Sequence, residues 1–261
     1  PMRCVHPVRK IAACLLSYSA FAFLVPSASA QTGVSDDRVS LPEGAGSLEG
    51  IGDDVAIDPN MGTMAYVVPM NIPRGFDGLT PDIAVAYNSG GGSGVVGMGW
   101  SFAMPSIERL TLRGVPEYDA DDEFEADDGS QLVLVDTEGG RQVYRARCEG
   151  GFTRYTWNDV GDGTEGWFVA ERPDGTMCSY GADREGSLVA TARFGDPALG
   201  TFRYLPVECW DGYGHRIEYS YGAYGGTTLL ESVAWVFTDG TNPIYEAAMT
   251  YEPREDHVSN A

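Results

Sequence analysis

MNIPRGFDGLTPDIAVAYNSGGGSGVVGMGWSF, residues 70–102, is the stretch on which the fold turns. Met70 closes one extended run, Pro73 and Gly75 break it, and Asp82-Ile83-Ala84-Val85-Ala86-Tyr87-Asn88 resumes as a second. A glycine-rich loop from Gly90 to Gly99 follows, and Gly97-Met98-Gly99-Trp100 leads into a third strand. Glycines there let backbone pack against backbone, and the indole plugs the space beside them. A phosphate cradle would need a Gly-Lys-Ser/Thr run and a helix whose amides face the anion. Neither accompanies this loop, so it reads as structural.

The same two-residue rhythm extends outward in both directions. Thr63–Met70, Gln131–Val135, Gly166–Ala170, Thr201–Leu205 and Arg216–Tyr221 are short runs that alternate or are β-branched, with Gly, Pro or Asp between them. In Leu229-Glu231-Val233-Trp235-Phe237 every second residue is apolar except Glu231, the pattern of a half-buried strand. Asp128-Gly129, Asp162-Gly163, Asp174-Gly175, Asp211-Gly212 and Asp239-Gly240 each place glycine where a reversing chain takes positive φ. Tyr251–Asp256 reads as the end of a further strand, and no stretch of ten or more residues past the amino-terminal region keeps a helical period. The fold class is all-β, built from successive antiparallel hairpins.

The amino-terminal region is different. Arg3, Arg9 and Lys10 precede an apolar stretch from Ile11 to Val25, which ends in Ala28-Ser29-Ala30. This is the layout of a cleavable export signal over residues 1–30, with the cut expected before Gln31. The apolar stretch falls short of the roughly twenty residues a spanning helix needs, and nothing later is apolar enough to span. Ile11-Ala12-Ala13-Cys14 mimics a lipoprotein box but lacks an apolar segment upstream of the cysteine. Residues 31–53 are polar and glycine-rich and read as a flexible leader.

Cleavage would leave 231 residues and, with those three cations gone, move the net charge from −21 to −24. The remaining basic residues are 14 arginines and no lysine, which excludes nucleic acid as a partner on the ordinary electrostatic ground. Cys148, Cys178 and Cys209 are too few for a disulfide framework and match no zinc spacing; Cys148 with Cys178 is the expected bridge. The acidic run Asp119–Glu123 fails the calcium-loop pattern, because the sixth and twelfth positions counted from Asp119 are Phe124 and Ser130. It reads as a solvated turn. No Gly-x-Ser-x-Gly elbow and no Ser-His-Asp arrangement is present, and His215 reads as a turn residue. Catalytic, cofactor-binding and metal-ligating residues are therefore assigned to none.

The ordered pattern Pro-x-Gly, Gly-Leu-x-Pro, Tyr-Asn-Ser, Gly-x-Gly-Trp-Ser between Pro73 and Ser101 closely resembles the amino-terminal domain of the Salmonella virulence-plasmid protein B family. That domain is shared with the B subunits of insecticidal Tc toxin complexes and with Rhs-type proteins. Ser106–Arg109 fits the family's next strand, and Asp122–Leu132 its acidic hairpin. Arg172–Gly181 and Trp210–Tyr221 look like tyrosine/aspartate repeats, each an Asp turn followed by a strand with outward tyrosines that stacks on copies of itself. The second has His215 where the repeat usually has Asn.

The resemblance implies part of a β-rich shell or sandwich: residues 54–135 as the family's amino-terminal β-domain and 136–261 as its repeat-like continuation, with more chain expected beyond Ala261. It implies a non-enzymatic structural module of an exported protein that encloses or presents a downstream toxin or effector region, with that region or other toxin-complex subunits as partners. Glu123-Phe124-Glu125 has the outline of a mono-ADP-ribosyltransferase Glu-x-Glu, but without the accompanying arginine strand and Ser-Thr-Ser element. The competing expectation is a self-sufficient secreted protein whose aromatic residues bind a cell-surface protein or glycan. The general secretory signal favours an exported or surface-associated protein over an injected toxin.

Overall fold

A computed structural model describes residues 56–253, apart from 59–61, 103, 120, 162–164, 197, 226 and 239. The expected export signal, the leader, the turn at Asp162-Gly163, Asp239 and everything after Pro253 lie outside the described residues. Among those described, no helix is long and apolar enough to cross a membrane.

The opening stretch builds a four-stranded antiparallel sheet from β1 (Ala56–Asp58), β2 (Thr63–Pro69), β3 (Ala84–Asn88) and β4 (Trp100–Phe102), in that order. A single 3-10 turn at Phe76–Gly78 interrupts the passage from β2 to β3. Tyr66, Tyr87 and Trp100 stand abreast across it, as do Val68, Val85 and Phe102. Gly99 shows why the loop is glycine-rich: it sits at φ 75°, and a Cβ there would lie 2.7 Å from the Asn88 carbonyl oxygen and 2.8 Å from the Tyr87 ring.

The remaining strands are β5 (Ile107–Arg109), β6 (Phe124–Glu125), β7 (Gln131–Glu138), β8 (Arg141–Ala146), β9 (Arg154–Asp159), β10 (Gly166–Glu171), β11 (Met177–Tyr180), β12 (Arg193–Asp196), β13 (Gly200–Tyr204), β14 (Pro206–Trp210), β15 (Arg216–Tyr224), β16 (Thr227–Phe237) and β17 (Pro243–Ala248). They form one antiparallel sheet in the order β12-β13-β5-β6-β7-β8-β9-β10-β11-β14-β15-β16-β17. In that order β13 and β14 stand eight strand spacings apart, roughly 38 Å in a flat sheet at about 4.8 Å per spacing. Yet a single residue, Leu205, joins them, and one residue spans only about 7 Å. The sheet is therefore rolled into a closed barrel. Its last stave is the bent segment Gly200–Trp210, which pairs with β5 through its first half and with β11 through its second.

The interior of the barrel is aromatic. Phe124, Tyr144, Trp157, Phe168 and Tyr204 come from five different staves, all less than 9% exposed, with ring centroids 4.7–6.4 Å apart. Each such burial contributes roughly 1.5–3 kcal/mol of transfer free energy. Beyond the barrel, β15, β16 and β17 continue as a wing, and the core row passes from Cys178 through Cys209, Ile217 and Trp235 to Tyr245. Trp235, 2% exposed, donates its indole N–H to the Pro73 carbonyl at 3.0 Å and so ties the wing to the segment between β2 and β3.

Four expectations are corrected here. The bridge is Cys178–Cys209, not Cys148–Cys178: the two bonded residues face each other directly in the β11–β14 register with Cα atoms 4.0 Å apart, while Cys148 is exposed and free. The simple alternation of β16 breaks at Glu231, which the ladder skips between Ser220↔Ser232 and Tyr221↔Leu230. That bulge moves Leu230 rather than Leu229 into the core and leaves Glu231 exposed. At Asp211-Gly212 the residue with positive φ is Gly214, at 89°. Last, Tyr251 is outside any strand: β17 ends at Ala248, and the Tyr251 hydroxyl donates to the Leu230 carbonyl at 2.6 Å.

Candidate functional site

The acidic run expected to be a solvated turn is partly an anchor. Arg109, on the short β5, is 2% exposed, and its Nη1 lies 2.6 Å from Asp122 Oδ2. Its Nε donates to the Thr201 carbonyl at 2.9 Å, and its guanidinium sits 5.1 Å from the Tyr118 ring centroid and 5.2 Å from that of Phe124. Asp122 also accepts the backbone N–H groups of Glu117 and Tyr118. One carboxylate thus closes the loop after β5 over the seam between β5 and β13. Glu123 accepts from Gln131 and pairs with Arg113, while Phe124 between the two glutamates is a core ring. Both flanking strands fix the Glu-x-Glu in ladder geometry, paired with β5 and β7.

A cavity of about 660 Å³ opens where the segment from Asp77 to Asp82 faces β11, β14 and β15. Asp77, Asp82, Asp127, Asp174 and Asp211 line it, with Arg172 as the cation among them and the disulfide in its floor. Two of these carboxylates belong to turns. Asp174 accepts the Thr176 amide at 2.8 Å, which holds its carboxyl below the usual range, and Asp211 accepts the amides of Tyr213 and His215. Burial works to raise the Asp211 carboxyl, but the His215 ring, 2.6 Å away, and those amides outweigh it and hold it low. His215 also lies 5.0 Å from the Phe76 ring, so it joins the turn to the small sheet's loop.

The repeat-like tyrosines are not outward. Tyr180 and Tyr221 are 3% and 7% exposed, and Tyr221 donates its hydroxyl to the Pro206 carbonyl at 2.7 Å. In a rolled sheet the tyrosine face is the inner one. Burial pushes the Tyr155 and Tyr219 hydroxyls up to about 12 and raises those of Tyr180 and Tyr221 as well.

A second cleft, about 390 Å³, lies on the opposite face of the sheet, between Trp167, Trp210, Arg154, Glu171 and Asn158. Arg184 stacks 5.4 Å from the Trp210 ring and lies 3.7 Å from Glu208, whose carboxyl burial pushes up and Arg184 pulls down. Sequence reading missed this cleft and the Arg109 anchor. The visible signal for the cleft was the polar half of each strand: Arg154, Thr156 and Asn158 alternate with Tyr155 and Trp157. Among the described residues no group of three or more His, Cys, Asp or Glu is arranged to hold a metal ion.

Comparison with known proteins bears on the whole arrangement. The family model described as Salmonella virulence plasmid 65kDa B protein matches residues 58–235. The Mono(ADP-ribosyl)transferase SpvB of Salmonella choleraesuis is 31% identical over 213 residues, which cover 73% of this chain and 34% of that protein. The chain thus spans about a third of the length of the curated relatives it matches. The solved N-terminal domain of the effector protein SpvB from Salmonella typhimurium superposes with a TM-score of 0.57 at 26% identity, over 70% of this chain and 66% of that one. A crystal structure of TcdB2-TccC3 gives 0.60 at 27% identity, over 76% of this chain and 11% of that one. The Tc holotoxin pore of Photorhabdus luminescens gives 0.60 at 26%, over 80% and 11%.

Proposed function

The chain belongs to the Salmonella virulence plasmid 65kDa B protein family, and from that premise we propose that it is a non-enzymatic structural module. It forms part of a β-shell that encloses or presents a toxin or effector region, either continuous with it or supplied by other toxin-complex subunits. Residues 54–135 would carry the small sheet and the first staves, and 136–261 the rest. The observation that carries this reading is the barrel interior: rings from β6, β8, β9, β10 and β13 fill it, leaving the wing and the outer faces for partners. The Glu-x-Glu supports the same reading, since its Phe124 is core and its Glu123 is engaged with Gln131 and Arg113. Export through the general secretory route belongs to the proposal. The test is to purify the chain and supply labelled NAD with candidate acceptor proteins, alongside Glu123→Gln and Glu125→Gln variants. No transfer above background is expected, together with self-association by light scattering; label transfer that either substitution removes overturns the reading.

One observation favours a second reading. The cleft between Trp167 and Trp210 combines indoles with amide and charged groups, the mixture that binds a glycan. Retention on a glycan array that Trp167→Ala abolishes, with the circular dichroism unchanged, would establish it.

A further inference from the structure

Among the described residues the large sheet ends at β12 and at β17, and the two ends are built differently. β12 is four residues long and carries an irregularity between Phe194 and Gly195, so its edge is short and kinked. β17 is six residues long, and its register with β16 runs Ser232↔Ala248, Val233↔Ala247, Ala234↔Glu246, Trp235↔Tyr245. The Met249 amide donates to the Glu231 carbonyl at 2.8 Å, which fixes the ladder's phase. Alternate residues of an antiparallel strand point their N–H and C=O groups to the same side. Tyr245 and Ala247 therefore pair inward with β16, and the N–H and C=O groups of Ile244, Glu246 and Ala248 point outward. Among the described residues no strand pairs with that edge. Past Ala248 the described residues bond toward β16, the Met249 amide to the Glu231 carbonyl and the Tyr251 hydroxyl to the Leu230 carbonyl, and none of them pairs with the outward edge.

The side chains at this edge specify what it accepts. On the core face, Tyr245 packs 5.7 Å from Trp235 yet remains 37% exposed, so an incoming strand gains by setting an apolar residue beside it. On the other face a cross-strand row runs Glu208, Glu218, Ala234, Glu246. Arg184 stands near Glu208 at 3.7 Å and Arg216 bonds Glu218 at 2.6 Å, whereas Glu246 has no ion pair among the described residues. A second copy of this chain would bring a net charge of −21 to the same edge and, in a two-fold pairing centred on it, a second Glu246 opposite the first.

Resting on the shell reading above, we propose that the sheet grows at β17 and not at β12. The partner is an extended strand of different sequence, with apolar residues beside Tyr245 and Ala247 and a lysine or arginine beside Glu246. The test uses the full chain and a capped synthetic heptapeptide of alternating Val and Thr with a central Lys, read by amide hydrogen exchange. The expected result is that exchange at Ile244, Glu246 and Ala248 slows about tenfold or more, as it does for amides newly held in a ladder. Exchange at Phe194 and Asp196 should not change. The same peptide with Glu in place of Lys should bind more weakly, and Glu246→Lys should reverse that preference. Ala248→Pro removes one outward donor while sparing the β16–β17 ladder, so it should weaken the protection with the circular dichroism intact. Protection at β12 instead, no protection at about 1 mM peptide, or indifference to both the charge swap and Ala248→Pro overturns the inference. A chain that still assembles with its neighbours under those outcomes leaves the shell reading standing; NAD-dependent transfer would sink that reading alone.

Discussion

Asp122→Ala tests whether the buried Arg109 anchor holds the barrel seam. The substitution leaves a guanidinium that is 2% exposed without the carboxylate 2.6 Å away, and strips the Glu117 and Tyr118 amides of their acceptor. Removing one partner of a buried pair costs about 3–5 kcal/mol, because the remaining charge is uncompensated. Arg109→Met leaves the carboxylate its two amide donors but orphans the Thr201 carbonyl and gives up the contacts to Tyr118 and Phe124. At about 1–3 kcal/mol for the orphan and about 0.5–2 for the ring contacts, it should cost roughly as much. The double variant carries no stranded charge, so it should cost less than the sum by about 1.5–3 kcal/mol, near the upper range of coupling between contacting residues. Equilibrium denaturation followed by tryptophan fluorescence gives all corners of the cycle. Arg113→Ala is the control: its pair with Glu123 has 70% and 31% exposed side chains and should be worth under about 1 kcal/mol. A cost below about 1 kcal/mol for Asp122→Ala, or additivity within about 0.5 kcal/mol, refutes the anchor.

Three further outcomes follow from the packing. Peptide mapping without reductant should recover Cys178 linked to Cys209 with Cys148 alkylated, and loss of the bridge, which spans a separation of 31 residues, should cost about 3–4 kcal/mol by loop entropy. Leu230→Ala should cost about 2–5 kcal/mol and Leu229→Ala distinctly less, because the bulge at Glu231 puts the former in the core; equal costs would mean the ladder runs without the skip. In alkali, the buried tyrosines keep their protons better folded than unfolded. Their contribution is therefore intact below about pH 10 and is lost as pH rises through about 12, the folded value for Tyr155. For Tyr155 alone that is roughly 2–3 kcal/mol. Tyrosinate absorbance should rise together with the unfolding signal; ionisation of most tyrosines near pH 10 with the fold intact would contradict the buried assignment.

The sequence yields the strands where aliphatic residues alternate and hides them where other chemistry takes the same positions. β2, β3, β7, β10, β13, β15 and β16 stand where Val, Ile, Leu, Tyr and Phe announce them. β9 keeps a clean two-residue period, but as Tyr155 and Trp157 between Arg154, Thr156 and Asn158, so it resembles a polar loop. β14 opens on Pro206, ordinarily a sign of an edge, and is nonetheless internal because the corner at Leu205 starts it at a bend. Single-residue features in a strand change the phase of everything before them: Glu231 spoils an apolar face if counted and is harmless if skipped, and only pairing with Tyr221 decides which.

Closure itself is not local, and the candidate surfaces follow from closure. Nothing near Thr201–Trp210 in sequence says that its first half meets β5, nearly a hundred residues earlier, and its second half meets β11. Once it does, Cys209 lands opposite Cys178 and the repeat-like tyrosines turn inward. Arg109, charged and on a short strand, becomes interior, with Asp122 as its counter-ion rather than a surface carboxylate. The cavity then has the β11–β14 disulfide in its lining, while the cleft on the opposite face runs across β8, β9 and β10 to Trp210 of β14, over which Arg184 stacks. From the disulfide the wing carries the core row outward to Tyr245, and the exposed half of that ring marks where the next strand belongs.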